Sequence, residues 1–266
     1  MPYDRRVADA DVAVVRIAPE FESPEARAWC GRLEALAAAA PPDAEIYRGR
    51  NLIFRAEVGG RRVAVKRFPV ASLGKRLLYR VRAAKAARTF DHAVRLRALG
   101  VGTPAPLAAV EVRRGGWPVA SYYCSELVPR FAEARVLRFR ETADRTRLLR
   151  LLGAFVGRLH SLGVLHLDLT AGNVLLVPDA AAADGVAFQL VDINRMRFRT
   201  VGPRAGIANL VQLRLNDDGE MFAGYCASRG IDPGRWRRRY RARAALRTLG
   251  QELKERTRPW RRRIGL

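Results

Sequence analysis

The sequence predicts an α+β chain in two parts, a small β-rich part followed by a mainly helical one. Three observations carry that reading. Val-, Ile- and Phe-rich strand texture with one intervening helix occupies the chain up to about residue 127. Helical spacing dominates beyond it, interrupted by one short hairpin. Finally, 49% apolar content in 266 residues is enough to fill two modest cores. The boundary is expected near 128–131, with residues 1–44 as an N-terminal extension, 45–127 as the first part and 128–266 as the second.

The elements justify themselves in order. Val12 to Ile17 is β-like, and Pro24 to Ala40 reads as helical, with Ser23-Pro24 as cap and first turn and Pro41-Pro42 as stop. RNLIFRAEV and RRVAVKRF, split by Gly59-Gly60, are a β-hairpin signal. Residues 75 to 99 read as a basic helix ended by Gly100, followed by strands at Leu107 to Val112 and Pro118 to Leu127 around Gly115-Gly116. From Arg140 to Leu162, the spacing of Leu148, Leu152, Phe155, Val156 and Leu159 is helical. Val174 to Val177 and Ala187 to Val191 form the later hairpin, and from about Ala205 the chain reads as helical and increasingly basic.

Composition removes several classes. The apolar and charged fractions exclude a disordered chain, and no apolar run approaches the ~20 residues of a membrane span. The start has acids where an export signal needs an apolar run, so a cytoplasmic protein is expected. Cys30, Cys124 and Cys226 show no CxxC spacing and read as reduced core thiols. Forty-nine basic against twenty-six acidic residues give a net charge of +23. Only Lys66, Lys75, Lys85 and Lys254 are lysines, so arginine carries almost all of it. Such an excess implies a polyanionic partner: nucleic acid, an anionic membrane face or a phosphorylated glycolipid.

The chemistry concentrates in LHLDLTAGNVLLV, which sets His166, Asp168 and Asn173 in the order H-x-D-x-x-x-x-N immediately before an apolar strand. FQLVDINR ends a second strand in Asp192, and RRVAVKRF ends an earlier one in Lys66. Each element alone is ordinary: a strand-end lysine is usually solvated, and D-x-x-x-x-N can be a turn cap. In this order and context they point to phosphoryl transfer. Asn173 and Asp192 offer the oxygen ligands Mg²⁺ prefers, Lys66 can fix nucleotide phosphates, and Asp168 can take a proton from an acceptor hydroxyl. His166 is expected to anchor the loop.

With these motifs in view, the chain resembles the lipopolysaccharide kinase family, small bacterial kinases that phosphorylate Kdo or heptose of the inner core. The resemblance rests on VAVKRF, RTFDHAVRLRALGVGTPAPLA, SYYCSELV, LHLDLTAGNVLL and VDINRMRF, over about Ile46 to Arg229. It implies a bilobal protein-kinase-like fold that uses ATP and Mg²⁺. By the same resemblance Lys66 contacts the α/β-phosphates and Asp91 pairs with Lys66. Asp168 is the base, Asn173 and Asp192 are the metal ligands, and Ala64, Glu126 and Leu127 line the adenine site.

The chain also departs from that pattern. Around Gly49 to Asn51 a single glycine stands where a glycine-rich loop is expected, leaving backbone amides there to cover the phosphates. Asp192-Ile193-Asn194 replaces D-F-G, and no A-P-E follows, which predicts a fixed metal segment. Thr170 stands where protein kinases carry lysine, which points to a small-molecule or glycan acceptor.

Arg235, Arg237, Arg238, Arg239, Arg241 and Arg243, interleaved with Trp236 and Tyr240, and then Trp260 with Arg261, Arg262 and Arg263, read as an interfacial anchor. Arg195 and Arg197 are candidate acceptor contacts. His92 and His160 read as packing or capping residues, with a scaffold hydrogen bond open to His160, and Trp29 and Trp117 as structural or solvent-edge. The expected activity is ATP-dependent phosphorylation of a sugar hydroxyl, Kdo first and heptose next, on a lipopolysaccharide or lipid A precursor. The protein is expected to be a monomer, peripheral on the inner face of the inner membrane, with nucleic acid a lesser candidate for the basic patch. Two alternatives stand beside it: a phosphotransferase acting on a soluble small molecule, and a non-catalytic kinase-like module docking on anionic membrane or RNA.

Overall fold

The computed structural model describes residues 12–70, 72, 74, 77, 79, 83–139, 143–215 and 219–247. The expected Trp260 and Arg261–Arg263 anchor lies outside them, as do Lys75 and Lys254. The chain divides into two compact units, one of residues 1–130 with 192–194 and the other of 131–191 with 195–266.

The first unit is built on a six-stranded antiparallel sheet in the order β1-β5-β6-β4-β3-β2. Its strands are β1 (Val12–Ile17), β2 (Glu45–Arg48), β3 (Leu52–Val58), β4 (Arg61–Pro69), β5 (Pro106–Arg114) and β6 (Trp117–Glu126). Gly59 and Gly60, both at positive φ, turn β3 into β4. Strand alternation sets the faces of β4: Val63 and Val65 are fully buried, while Ala64 and Lys66 point the other way. Val65 lies opposite Phe54 and Cys124, and Lys66 opposite Ile53 and Tyr123.

Helix α1 (Pro24–Gly31) is capped by the Ser23 hydroxyl, which accepts from the Ala26 amide, with Pro24 in the first turn. It buries Trp29 and Cys30, and α2 (Leu33–Ala38), which follows it, buries Leu33. Helix α3 (Lys85–Ala98) packs against β5 and β6. Of the expected helix from 75, Leu77 and Tyr79 are helical, Ala84 is extended (φ −56°, ψ 158°), and the continuous run to Ala98 starts at Lys85.

The described residues before 45, expected as an extension, are part of this unit. β1 pairs with β5 along the sheet edge, Ala18 donates to the Leu107 carbonyl at 2.9 Å, and α1 packs on β1 and β3. A sheet edge leaves backbone groups unpaired, and β1 satisfies those of β5. All three cysteines are free and buried; burial pushes Cys30 up to about 12 and Cys226 to about 11.

The second unit centres on α4 (Ala143–Ser161) packed along α6 (Glu220–Arg229). Glycine sets their approach: a Cβ at Gly153 would overlap the Met221 carbonyl, and one at Gly224 the Arg150 carbonyl. Around this pair lie α5 (Pro203–Leu210) and helical residues 233–247, called α7. Two small antiparallel sheets complete it. One joins β10 (Val186–Leu190), β9 (Val174–Pro178) and β7 (Ala132–Glu133); the other joins β11 (Met196–Phe198) to β8 (Val164–His166). The loop from β8 to β9 carries the H-x-D-x-x-x-x-N motif.

Candidate active site

In the first unit, Lys66 Nζ lies 2.6 Å from Asp192 Oδ1, with side-chain exposures of 16% and 32%. Asn194 donates to the same oxygen at 2.8 Å. Asp192 holds a left-handed backbone at φ 54°, a region where Asp and Asn are tolerated better than most residues. Ile193 is buried between these two residues. Asn194, standing where a flexible glycine was the comparison, therefore braces the carboxylate.

Asp91 does not take the role expected of it. Its carboxylate pairs with Arg16 on β1, and the cation beside Asp192 is Lys66. The reason is local: β1 brings a guanidinium to that part of α3, so the short aspartate is satisfied there. The next residue, His92, reaches the Ile193 carbonyl through Nδ1 at 2.7 Å. Burial is the main cause that lowers its pKa, so its neutral form is favoured.

The other expected nucleotide contacts lie along the same sheet. Gly49 sits in the β2–β3 turn with its N–H donated to the Asn51 carbonyl at 3.0 Å, so this amide already has a partner. A Cβ at Gly49 would overlap the Tyr47 ring. The N–H groups of Glu126 and Leu127 are also committed, to Ala105 and Arg62 carbonyls at 2.9 and 3.0 Å. Neither of these two amides is open to an adenine ring meeting this pair.

In the second unit, the loop is held from inside. His166 is fully buried, its Nδ1 accepting from the Asp168 amide at 3.1 Å, so the proton sits on Nε2, which donates to the Val191 carbonyl at 3.2 Å. Asn173 Nδ2 donates to the Asp168 carbonyl at 2.8 Å, and its own carbonyl accepts from Val191 at 3.0 Å. With the amide nitrogen engaged, Asn173 Oδ1 is the atom left for a cation. On the Asp192 carboxylate, Oδ1 takes both Lys66 and Asn194, which leaves Oδ2. Each is a hard oxygen of the kind Mg²⁺ prefers. Among the described residues no group of three or more His, Cys, Asp or Glu could hold a metal.

Behind the loop lies a second set of bonds that sequence reading did not find. Asn209 Nδ2 donates to the His166 carbonyl at 2.8 Å, so its Oδ1 must accept from His160 Nε2 at 3.0 Å. His160 Nδ1 is then the acceptor for the Tyr225 hydroxyl at 3.0 Å. The chain of donors runs one way, Tyr225 to His160 to Asn209 to His166. All four residues are buried, and burial drives His160 down to about 4. A Cβ at Gly206 would overlap the Tyr225 hydroxyl, which accounts for glycine in mid-helix α5. Asn209 and Tyr225 stand 43 and 59 residues from His166 and carry no local signal.

Arg247 lies within electrostatic reach of Asp168. Burial lowers the Arg247 pKa; the like charges of Arg214 and Arg243 lower it further, and Asp168 opposes them. Arg138 donates to the Arg214 carbonyl at 3.1 Å, and Arg135 lies against Gly172 of the loop. Arg195 and Arg197 are exposed. On α7, Arg235, Arg237, Arg238, Arg239 and Arg241 are exposed, but Tyr240 turns inward and stacks on Phe222 with ring centroids 4.5 Å apart. Tyr240 is therefore a core residue, not part of an interfacial belt. No helix of the described residues is long and apolar enough to cross a membrane.

A family model described as lipopolysaccharide kinase (Kdo/WaaP) matches residues 51–218, which include Lys66, Asp168, Asn173 and Asp192. The chain belongs to this family. As a member it is a phosphotransferase acting on a sugar hydroxyl, a kinase of the lipopolysaccharide core, and kinase membership implies ATP use. A solved structure described as WaaP in complex with acyl carrier protein is similar over 89% of this chain and 98% of that one, at 21% identity and a TM-score of 0.61. That likeness shows the protein-kinase-like α+β fold. No curated protein matches the chain.

Proposed function

We propose that the chain transfers the γ-phosphoryl group of ATP to a hydroxyl of Kdo, with heptose as the next acceptor, on a lipopolysaccharide or lipid A precursor. The observation that carries this reading is the loop held by Asn173 and His166. It fixes the Asp168 backbone from both sides, its amide to His166 and its carbonyl to Asn173. Asp168 accepts the proton of the acceptor hydroxyl. Lys66 holds nucleotide phosphates once released from Asp192, and Asn173 Oδ1 and Asp192 Oδ2 hold Mg²⁺. Bound Mg²⁺ would neutralise charge developing on the phosphoryl oxygens. Thr170 in place of a lysine supports a glycan acceptor. Arg247, whose charge interacts favourably with Asp168, and the exposed arginines of α7 support one that carries negative charge, such as a sugar carboxylate or a phosphorylated lipid.

The exposed arginine face of α7 supports a peripheral position on an anionic membrane surface, here the cytoplasmic face of the inner membrane. We include acyl carrier protein among the proposed partners on the strength of the related structure, and size-exclusion chromatography of a mixture tests it. We expect a monomer.

The deciding experiment is transfer of labelled γ-phosphate to a Kdo–lipid A acceptor. Label in the lipid, lost with EDTA and in Asp192→Ala, is the expected result. Label appearing only on a heptose-containing core moves the acceptor to heptose. Label on neither acceptor, with ATP still bound, overturns the glycolipid reading in favour of a soluble acceptor.

A further inference from the structure

Asp91 and His92 are adjacent on α3, a helical step of about 100° apart. The first turns to Arg16, and the second reaches the Ile193 carbonyl. A carbonyl oxygen only accepts, so His92 Nδ1 is the protonated nitrogen in this bond. Ile193 itself is 2% exposed, and its carbonyl belongs to the residue that follows Asp192.

Asp192 needs such support. A left-handed backbone at a non-glycine residue costs roughly 1 kcal/mol or more and persists only where the surroundings hold it. Lys66 and Asn194 both bind the Asp192 side chain at Oδ1. The Lys66 bond does not reach the backbone after it, and the Asn194 bond spans that backbone only through two rotatable side chains. The His92 bond grips the backbone itself, one peptide away, and ties that peptide to a helix whose Ala93 and Leu96 are fully buried.

We propose that His92 is a positioning residue for Asp192. By holding the Ile193 carbonyl it sets the direction in which Asp192 Oδ2 faces, and so the affinity of the metal site. This rests on the reading of Asp192 as a metal ligand. It follows that α3 is coupled to the metal segment through a neutral hydrogen bond to backbone, whereas Asp91, the acidic residue of the same helix, serves to fasten β1.

Three substitutions test this, each measured for Mn²⁺ affinity by electron paramagnetic resonance with a non-hydrolysable ATP analogue, for Mg²⁺ dependence of turnover, and for melting temperature. His92→Leu removes the donor. His92→Asn places an amide N–H close to where Nδ1 sits, and His92→Gln keeps a polar group but moves its amide one bond farther out. Loss of an outer partner of a metal ligand typically weakens metal binding ~10–100-fold. His92→Leu is expected to lie in that range, His92→Asn within about threefold of the unmodified protein, and His92→Gln between them. If His92→Leu does not fold, the Asn–Gln difference carries the test. Equal Mn²⁺ affinity across the folded variants would overturn the positioning role, provided Asp192→Asn does abolish Mn²⁺ binding. If Asp192→Asn binds Mn²⁺ unchanged, the metal-ligand reading falls, and the inference falls with it.

Discussion

In the first unit Lys66 is placed by one ion pair to Asp192, both side chains partly open to solvent, whereas in the second Asp168 is placed by bonds among buried neutral groups. The two arrangements suit different tasks. A partly exposed charge pair contributes little net stability and exchanges partners easily, so phosphates and a metal can take over Lys66 and Asp192. A buried neutral network has no such alternative: every donor in the run from Tyr225 to the His166 carbonyl has one acceptor, and removing a link leaves a desolvated polar group. The exchangeable contact is where ligand is expected, and the fixed one is where the proposed base must not move.

The largest expected effect breaks the comparison at the base. Asp168→Ala should lower kcat by ~10²–10⁴-fold with ATP affinity nearly unchanged, read by steady-state kinetics beside calorimetric titration of nucleotide. Comparable turnover in that variant removes Asp168 from the base role.

Next comes the network. Asn209→Leu removes the acceptor of His160 Nε2–H and one donor to the His166 carbonyl, at about 1–3 kcal/mol for a buried group left unsatisfied. The expected result is a clear loss in denaturant midpoint, and with it a fall in kcat larger than any change in KM for ATP.

The same network fixes a pH dependence. His160 is lowered from 6.5 to about 4 in the folded chain, mainly by burial. Below the unfolded value the unfolded chain takes up a proton that the folded one does not. Stability is therefore undiminished above about pH 6.5 and lost progressively as pH falls towards about 4, by on the order of 3 kcal/mol at ~1.4 kcal/mol per unit. Melting temperatures across that window should fall more steeply for the native chain than for His160→Gln.

The smallest effect sharpens the first unit. Asp91→Asn breaks an ion pair with 37% and 47% exposed partners and should cost under about 1 kcal/mol. KM for ATP should stay within about twofold. A tenfold rise would return Asp91 to the Lys66 site that the Arg16 pair denies it.

Much of this was legible in one dimension, because its causes are local. Alternation of Val63, Ala64, Val65 and Lys66 sets which face Lys66 occupies, Gly59-Gly60 closes the hairpin, and Ser23-Pro24 starts α1. The five-residue step from Asp168 to Asn173 brings the amide of one to the carbonyl of the other within a single loop. These follow from strand period, turn chemistry and capping, which act over a few residues.

Tertiary structure decided the partners. That Asp91 goes to Arg16, His92 to Ile193, Lys66 to Asp192 and Asn209 to His166 depends on residues 43 to 126 positions apart in the chain. Helical and strand periodicities state which face a side chain occupies but not what that face meets. Asp91 and His92 show the limit most directly. Adjacent in sequence, they were separable only by the two different elements that the fold brings to α3, a β1 guanidinium for one and a buried backbone carbonyl for the other.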